Sequence, residues 1–219
     1  GTYYLAVKAI NNAGLESVGF SDGILVDTTA PTPPMVIDYG DFSLSNSELK
    51  VSMVASDAES GIAEYRLSLG TLTDPKSIIA DQPVMSDGGI EHLDLIGLNL
   101  EEGQVYIFTI CAVNHAGMVS MASTSDGIMV DSKLPVVQSV NVQGRYLTDR
   151  TRLVFDWTAE PSPSGIIDAQ YALSEDPNGN DLQWQTADLT GSQVLTGLNL
   201  EDGKTYYLYI RAQNRALAE

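Results

Sequence analysis

The chain repeats one pattern of residues three times, at intervals of about 100 residues. The segments that begin at Tyr3, Tyr106 and Tyr206 read YYLAVKAINNAG, YIFTICAVNHAG and YYLYIRAQNRAL. A second phrase, SDGILVDTTAP from Ser21, returns as SDGIMVDSKLP from Ser125, and GLNLEEG returns as GLNLEDG. Repetition at the length of a domain predicts an array of similar domains.

Apolar residues alternate with polar ones inside each repeat, which is typical of half-buried β-strands. The residues predicted to share the inward face are Tyr3, Leu5, Val7 and Ala9, then Tyr106, Phe108, Ile110 and Ala112, then Tyr206, Leu208, Ile210 and Ala212. Turn signals such as Asn-x-Ala-Gly follow these strands, and no segment shows the 3.6-residue period of a helix. Short strands with turn signals every 8–12 residues or so predict an all-β fold of antiparallel β-sandwiches.

Proline-rich seams divide the array at residues 28–34 and 132–135. Proline favours extended backbone, so these seams are expected to act as short, semi-rigid spacers. The resulting prediction is a closing hairpin of a preceding module in residues 1–30 and a complete module in residues 31–131. Residues 132–219 are predicted to form a module that lacks its last strand. The chain is therefore expected to be a segment of a longer protein.

The charge of the chain excludes several classes of partner. It has 29 acidic and 11 basic residues, for a formal net charge of −18. Binding to nucleic acid or to an anionic membrane surface requires clustered Lys and Arg, so neither is expected. No apolar run reaches the ~18 residues of a membrane span. The single cysteine, Cys111, excludes an intrachain disulfide, and its alignment with Lys8 and Arg211 predicts an outward side chain.

Signatures of catalysis are missing from the sequence. It contains no Gly-x-Ser-x-Gly, no glycine-rich phosphate loop and no His-Glu-x-x-His. His92 and His115 fall in different parts of one module. We therefore predict that the segment is not an enzyme and binds no organic cofactor.

Two acidic groups are candidate calcium ligands, because Ca²⁺ prefers carboxylate and carbonyl oxygens. The first is Asp27, Asp57 and Glu59, which could stiffen a seam if folding brings them together. The second is a loop with oxygen-bearing side chains at Asp176, Asn178, Asn180 and Asp181. That loop lacks the glycine and the bidentate glutamate of a complete calcium loop. An ordinary hairpin loop is the alternative, since Pro-Asn-Gly is itself a turn.

The segment from Gly97 to Gly117 resembles the E–F–G region of fibronectin type III domains. The Ser-Gly-Ile turns and Trp157 resemble the B–C region of that family, although Met53 takes the tryptophan position in the first full module. This resemblance covers nearly the whole chain. It implies tandem immunoglobulin-like (fibronectin type III) antiparallel β-sandwiches, with Trp157 as a structural core residue.

The resemblance also implies a structural role for two tyrosines. Tyr106 and Tyr206 occupy the position of the family's tyrosine corner, where the phenol hydrogen-bonds to backbone a few residues upstream. The backbone near Leu100 and Leu200 is the expected partner. The integrin-binding tripeptide Arg-Gly-Asp does not occur in the chain.

The function expected from these features is a structural or adhesive array segment. It would supply spacer modules to a large secreted or cell-surface protein, which could be part of an extracellular filament. Its partners would be neighbouring modules of the same chain, or other copies head to tail, because the N-terminal hairpin and the incomplete last module complement each other. Two alternatives stay open, since one fold hosts many functions. They are non-catalytic accessory modules of a secreted carbohydrate-active enzyme, and a module that binds a ligand with its loop tips, at residues 14–20 and 117–125.

Overall fold

The structure, a computed structural model, describes residues 1–217 and is built from β-strands. In chain order these are β1 (Thr2–Tyr3), β2 (Ala6–Ile10), β3 (Glu16–Phe20), β4 (Ile24–Leu25), β5 (Met35–Asp38), β6 (Phe42–Ser43), β7 (Glu48–Val54), β8 (Ile62–Gly70), β9 (Ile79–Met85), β10 (Glu91–Ile96), β11 (Val105–Asn114), β12 (Ser123–Thr124), β13 (Ile128–Val130), β14 (Val137–Val142), β15 (Arg152–Ala159), β16 (Ile166–Ser174), β17 (Gln185–Thr186), β18 (Ser192–Thr196) and β19 (Tyr207–Asn214). The helical structure within residues 1–217 is a single 3-10 turn at Arg215–Leu217. The predicted all-β class is confirmed. None of the helical structure in these residues is long and apolar enough to cross a membrane.

The described chain divides into two compact units. Unit 1 comprises Gly1–Tyr39, Glu48–Leu98 and Val105–Gly127, and unit 2 comprises Gly40–Ser47, Asn99–Gln104 and the chain from Ile128 onward. The modules 31–131 and 132–219 stay a prediction from the sequence. Ala218 and Glu219, at the end of the second predicted module, lie outside the described residues.

Unit 1 contains two antiparallel sheets, one ordered β10–β7–β5 and the other ordered β11–β8–β9 with β12 beside β11. In the second sheet Phe108 pairs with Leu69 and Ile110 pairs with Leu67, and all four side chains are fully buried. Cys111, one residue further along β11, is partly exposed. The register of inward and outward residues predicted for this strand is therefore confirmed.

The apolar side chains of the N-terminal hairpin of unit 1 are exposed. Strand β2 pairs with β3, and β1 pairs with β4 over two residues. Leu5 is 67% exposed, Val7 59% and Ile24 69%. No second sheet of the described residues packs over the hairpin, so the apolar face predicted for this strand is uncovered here.

Unit 2 contains the antiparallel sheets β14–β15–β18 and β17–β16–β19. Its core is formed by Leu153, Phe155, Trp157, Ala169, Tyr171, Ala187 and Leu195. The rings of Phe155 and Tyr171 are 5.7 Å apart at an interplanar angle of 54°, a geometry that favours contact between aromatic edge and face. Unit 2 also contains a short parallel pair between β6 and β13, in which Met129 lies opposite Phe42.

Candidate functional site: two aspartate-centred junctions

Asp131 is the centre of a buried hydrogen-bond network in unit 2. It follows β13 directly and opens the proline-containing seam, and it has no exposed surface. Its Oδ2 atom accepts hydrogen bonds from Ser162 Oγ at 2.7 Å, Ser164 N at 3.0 Å, Ser164 Oγ at 2.5 Å and Asn214 Nδ2 at 3.0 Å. Ser164 belongs to the Ser-Gly-Ile turn before β16, and Asn214 ends β19. Three distant parts of the chain therefore meet at one carboxylate.

The Asp131 carboxylate is charged although it is buried. Burial alone raises its pKa, but the hydrogen bonds from Ser164 and Ser162 outweigh burial and hold the pKa below its ordinary value. Its Oδ1 atom has no hydrogen-bond partner among residues 1–217. Hydrogen bonds to an ionised acceptor are roughly twice as strong as neutral ones, so the four donors carry most of the compensation for this charge.

The first residues of the seam after Asp131 are also held in place. Both carboxylate oxygens of Glu102 accept hydrogen bonds from Ser132, from the backbone N at 2.9 Å and from Oγ at 2.8 Å. The Asn214 amide also donates to the carbonyl oxygen of Lys133 at 3.3 Å. The seam therefore leaves the junction in a fixed direction.

Asp27 is the centre of the same kind of network in unit 1. Its Oδ2 atom accepts hydrogen bonds from Ser60 Oγ at 2.5 Å and from Asn114 Nδ2 at 2.9 Å. Its Oδ1 atom accepts from the backbone N of Thr29 at 3.0 Å, and Asn114 also donates to the carbonyl oxygen of Thr29. Ser60 precedes Gly61-Ile62, and Asn114 ends β11. The recurring phrases of the sequence thus build the same Asp–Ser–Asn junction twice.

The two junctions differ in the group beside the central aspartate. In unit 1 this group is a second carboxylate, Asp57, which accepts from the backbone N of Gly61 at 3.0 Å and from Asn114 Nδ2 at 3.1 Å. In unit 2 it is the hydroxyl of Ser162, which donates to Asp131. Each central aspartate accepts four hydrogen bonds, and the two junctions differ in whether the neighbouring group adds a like charge, as Asp57 does, or a donor, as Ser162 does.

The sequence predicted a calcium site if folding brings Asp27, Asp57 and Glu59 together, and the structure does bring them together. One carboxylate oxygen of each lies within 4.8 Å of the others. Hydrogen bonds, first from Ser60 to Asp27 and from Asn114 to Asp57, lower the pKa of both aspartates, so both are ionised as a calcium ligand must be. The same donors also compete with an ion for the carboxylate lone pairs. Calcium binding at this cluster stays a prediction.

The loop at Asp176 folds as a hairpin loop between β16 and β17. Asp176 accepts hydrogen bonds from the backbone N of Asn178 at 2.8 Å and from Asn180 Nδ2 at 2.6 Å, and Ser174 Oγ donates to Asp181. The two asparagines thus turn amide donors toward Asp176. A calcium ion here would need these amides to rotate, and binding at this loop also stays a prediction.

The residues predicted to be structural occupy interior or hydrogen-bonded positions. The Tyr206 hydroxyl accepts a hydrogen bond from the backbone N of Glu201 at 3.0 Å, one residue beyond Leu200. Tyr106 is 3% exposed. Trp157 is 5% exposed, and its Nε1 atom donates to the carbonyl oxygen of Asp188 at 3.1 Å.

Sequence reasoning missed the Asp131 junction and a second polar group on the sheet β10–β7–β5. Ser52 Oγ lies 2.6 Å from His92 Nδ1 and 2.5 Å from the Tyr39 hydroxyl. Ser52 is 3% exposed and lies directly opposite His92 in the ladder, so this group links neighbouring strands. The signal for the junction was present, because an aspartate, a serine and an asparagine each recur at fixed places in the repeats.

Comparisons with known proteins identify similar solved structures only. No family model matches the chain, and no curated protein matches it. Among solved structures, the FN1–FN3 domains of chicken CNTN1 are 18% identical with a TM-score of 0.35. That match covers 85% of this chain and 62% of the other, so this chain spans less than two thirds of its length. The fold class therefore rests on the strand pairing described above.

Proposed function

We propose that this chain is a structural array segment whose modules act as spacers in a large secreted or cell-surface protein. The observation that carries the proposal is the repeated junction. Each junction centres on an aspartate at the end of one recurring segment, which accepts hydrogen bonds from a serine and an asparagine of two other recurring segments. This arrangement occurs once around Asp27 and once around Asp131. In a chain whose repeats position one another, each seam needs a fixed hydrogen-bond network of this kind.

The junctions are suited to bearing load because they join residues that are far apart in sequence. Asp131 lies 33 residues from Ser164 and 83 from Asn214, and Asp27 lies 33 from Ser60 and 87 from Asn114. Tension along the chain at a seam must break these bonds before the loops between their partners can extend. Several short bonds to one carboxylate therefore resist extension together.

The proposed role is non-catalytic. The Ser52–His92 contact is part of a strand-to-strand network in which the buried serine hydroxyl is also held by the exposed Tyr39. No carboxylate bonds to His92 within residues 1–217. The strongly acidic composition supports a solvated, self-repelling spacer in an extracellular setting. Calcium held by Asp27, Asp57 and Glu59 would stiffen the first seam and is part of the same proposal.

Force spectroscopy on the chain between two handles tests the proposal. We expect discrete unfolding events, and we expect Asp131→Asn to lower the force of one of them because a neutral amide accepts fewer of the four donors. The matched variant Asp94→Asn, at an exposed residue of β10, should leave every force unchanged. Unfolding without measurable resistance would contradict the proposal. Saturable binding of the unmodified chain to a glycan array would favour the accessory-module alternative.

A further inference from the structure

One oxygen of the buried Asp131 carboxylate has no hydrogen-bond donor, although the other oxygen has four. All four donors meet Oδ2, and Oδ1 has no hydrogen-bond partner among residues 1–217. Asp131 has no exposed surface, so bulk water does not hydrate Oδ1. A buried acceptor of this kind is uncommon in folded proteins, and a bound ion is one of the few physical reasons for it.

Backbone pairing brings a second carboxylate, that of Glu102, to the side of Asp131. The backbone N of Gly103 donates to the carbonyl oxygen of Val130 at 2.7 Å. One step further along, Glu102 accepts hydrogen bonds from Ser132 N at 2.9 Å and from Ser132 Oγ at 2.8 Å. The residues on both sides of Asp131 are therefore tied to the loop that carries Glu102.

The pKa of Asp131 shows how closely the two carboxyl groups approach. Burial raises this pKa, whereas hydrogen bonds from Ser164 and Ser162, followed by one with the carboxyl group of Glu102, lower it. A second carboxyl group lowers the pKa of its neighbour only when a proton lies between the two, because a like charge would raise it. Glu102 accepts from Ser132 with both of its oxygens, as an ionised carboxylate does. A cation can take the position between the two groups that the proton would occupy.

No basic side chain of residues 1–217 forms an ion pair with this carboxylate pair. The ion pairs of the described lysines and arginines involve other acidic residues. Lys133, two positions from Asp131, is exposed and is not part of any of them. Glu102 is only partly buried, so the pair reaches solvent on the Glu102 side. A small cation can therefore approach Asp131 along Glu102.

We propose that Asp131 Oδ1 and the Glu102 carboxylate bind a divalent cation of the Mg²⁺ type. Mg²⁺ is usually held by one or two carboxylates and keeps several of its waters, whereas Ca²⁺ takes about six to eight oxygen ligands. The hydroxyls of Ser162 and Ser164 are engaged with Oδ2 of Asp131. Two carboxylates balance the charge of the ion, and water on the Glu102 side supplies the remaining ligands.

The ion ties the loop at residues 99–104 to the seam that follows Asp131, and these two segments belong to one unit. The binding rests on the geometry around Asp131, whereas its use in stiffening the seam rests on the proposed function. The junction at Asp27 brings three carboxylates together and keeps its predicted calcium. The two seams therefore respond to different ions.

Urea unfolding of the whole chain, followed by tryptophan fluorescence, tests this inference, because both tryptophans lie in unit 2. With a dissociation constant of about 1 mM, about 10 mM magnesium lowers the equilibrium constant for unfolding of unit 2 ~10-fold relative to a chelator. Calcium at the same concentration should leave the transition where the chelator puts it. Glu102→Gln should abolish the magnesium effect, because it removes one ligand charge and its amide can donate to Oδ1 in place of the ion.

The matched control is Asp156→Asn, at an exposed residue of β15 in the same unit. It removes the same charge as Glu102→Gln and should keep the full magnesium effect. Electron paramagnetic resonance of Mn²⁺, a spin-bearing substitute for Mg²⁺, counts the ions on the folded chain whatever its stability. Glu102→Gln should bind one ion fewer than Asp156→Asn.

A wild-type transition that magnesium does not move overturns the inference. An equal effect of calcium, an equal magnesium effect in Glu102→Gln, or equal Mn²⁺ counts in the two variants would also overturn it. The proposed function is tested separately by the unfolding force of a single chain without added cation, so each can fail alone.

Discussion

Replacing Asp131 with alanine is expected to destabilise unit 2 by about 2–4 kcal/mol. The substitution removes one buried acceptor and leaves several donors behind. Ser164 is 8% exposed, and its backbone N–H has Asp131 as its acceptor. The Asn214 amide retains two weaker contacts, with Ser162 Oγ at 3.1 Å and with the carbonyl oxygen of Lys133 at 3.3 Å.

Two losses and one gain set the magnitude of this change in the free energy of unfolding. A buried donor without an acceptor costs about 1–3 kcal/mol, and a hydrogen bond to a charged group contributes about 1.5–3 kcal/mol. These contributions are not additive within one network. Removing the carboxylate also relieves its own desolvation, including that of the unpartnered Oδ1 atom. The relief offsets part of the loss, which leaves the net value of about 2–4 kcal/mol.

Equilibrium unfolding in urea, followed by tryptophan fluorescence, measures this effect. Both tryptophans of the chain, Trp157 and Trp184, lie in unit 2, so the signal reports on the unit that contains Asp131. The control is Asp27→Ala in unit 1, which should leave the fluorescence transition unchanged. An Asp131→Ala transition within ~0.5 kcal/mol of the wild type would refute the reasoning, because that is the range of ordinary surface substitutions.

Three further predictions concern pH, packing and calcium. The pKa of Asp131 is lower in the folded chain than its ordinary value of 3.8, so its stabilisation is present above about pH 3.8 and is lost as the pH falls below that value through the folded pKa. Acid titration of stability should therefore be flatter in Asp131→Asn, and equal slopes would contradict this. Trp157→Ala should destabilise unit 2 by about 3–5 kcal/mol, because it deletes a large buried aromatic side chain. Urea unfolding followed by circular dichroism measures this loss, and a loss below ~1 kcal/mol would be inconsistent with the burial of the side chain. Millimolar calcium should raise the melting temperature of the wild type but not of Asp57→Asn, because an ion that binds only the folded state stabilises that state. An unchanged wild-type melting curve would eliminate the predicted calcium sites.

The sequence determined the strands and their faces, because the period of two is a local property of the chain. Alternation in residues 106–112 was enough to place Phe108 and Ile110 inside and Cys111 outside, and the structure confirms that register. The repeats likewise indicated that one element order recurs. These conclusions needed no information about distant residues.

Only the tertiary structure decided which distant groups meet. Nothing local to Asp131 specifies that its donors come from residues 33 and 83 positions away, and nothing local to Asp57 places it beside Asp27. The exposure of the N-terminal hairpin is of the same kind. Alternation shows which face of a strand is apolar, but whether that face is covered depends on which other strands pack against it, and that is set by contacts between residues far apart in the chain.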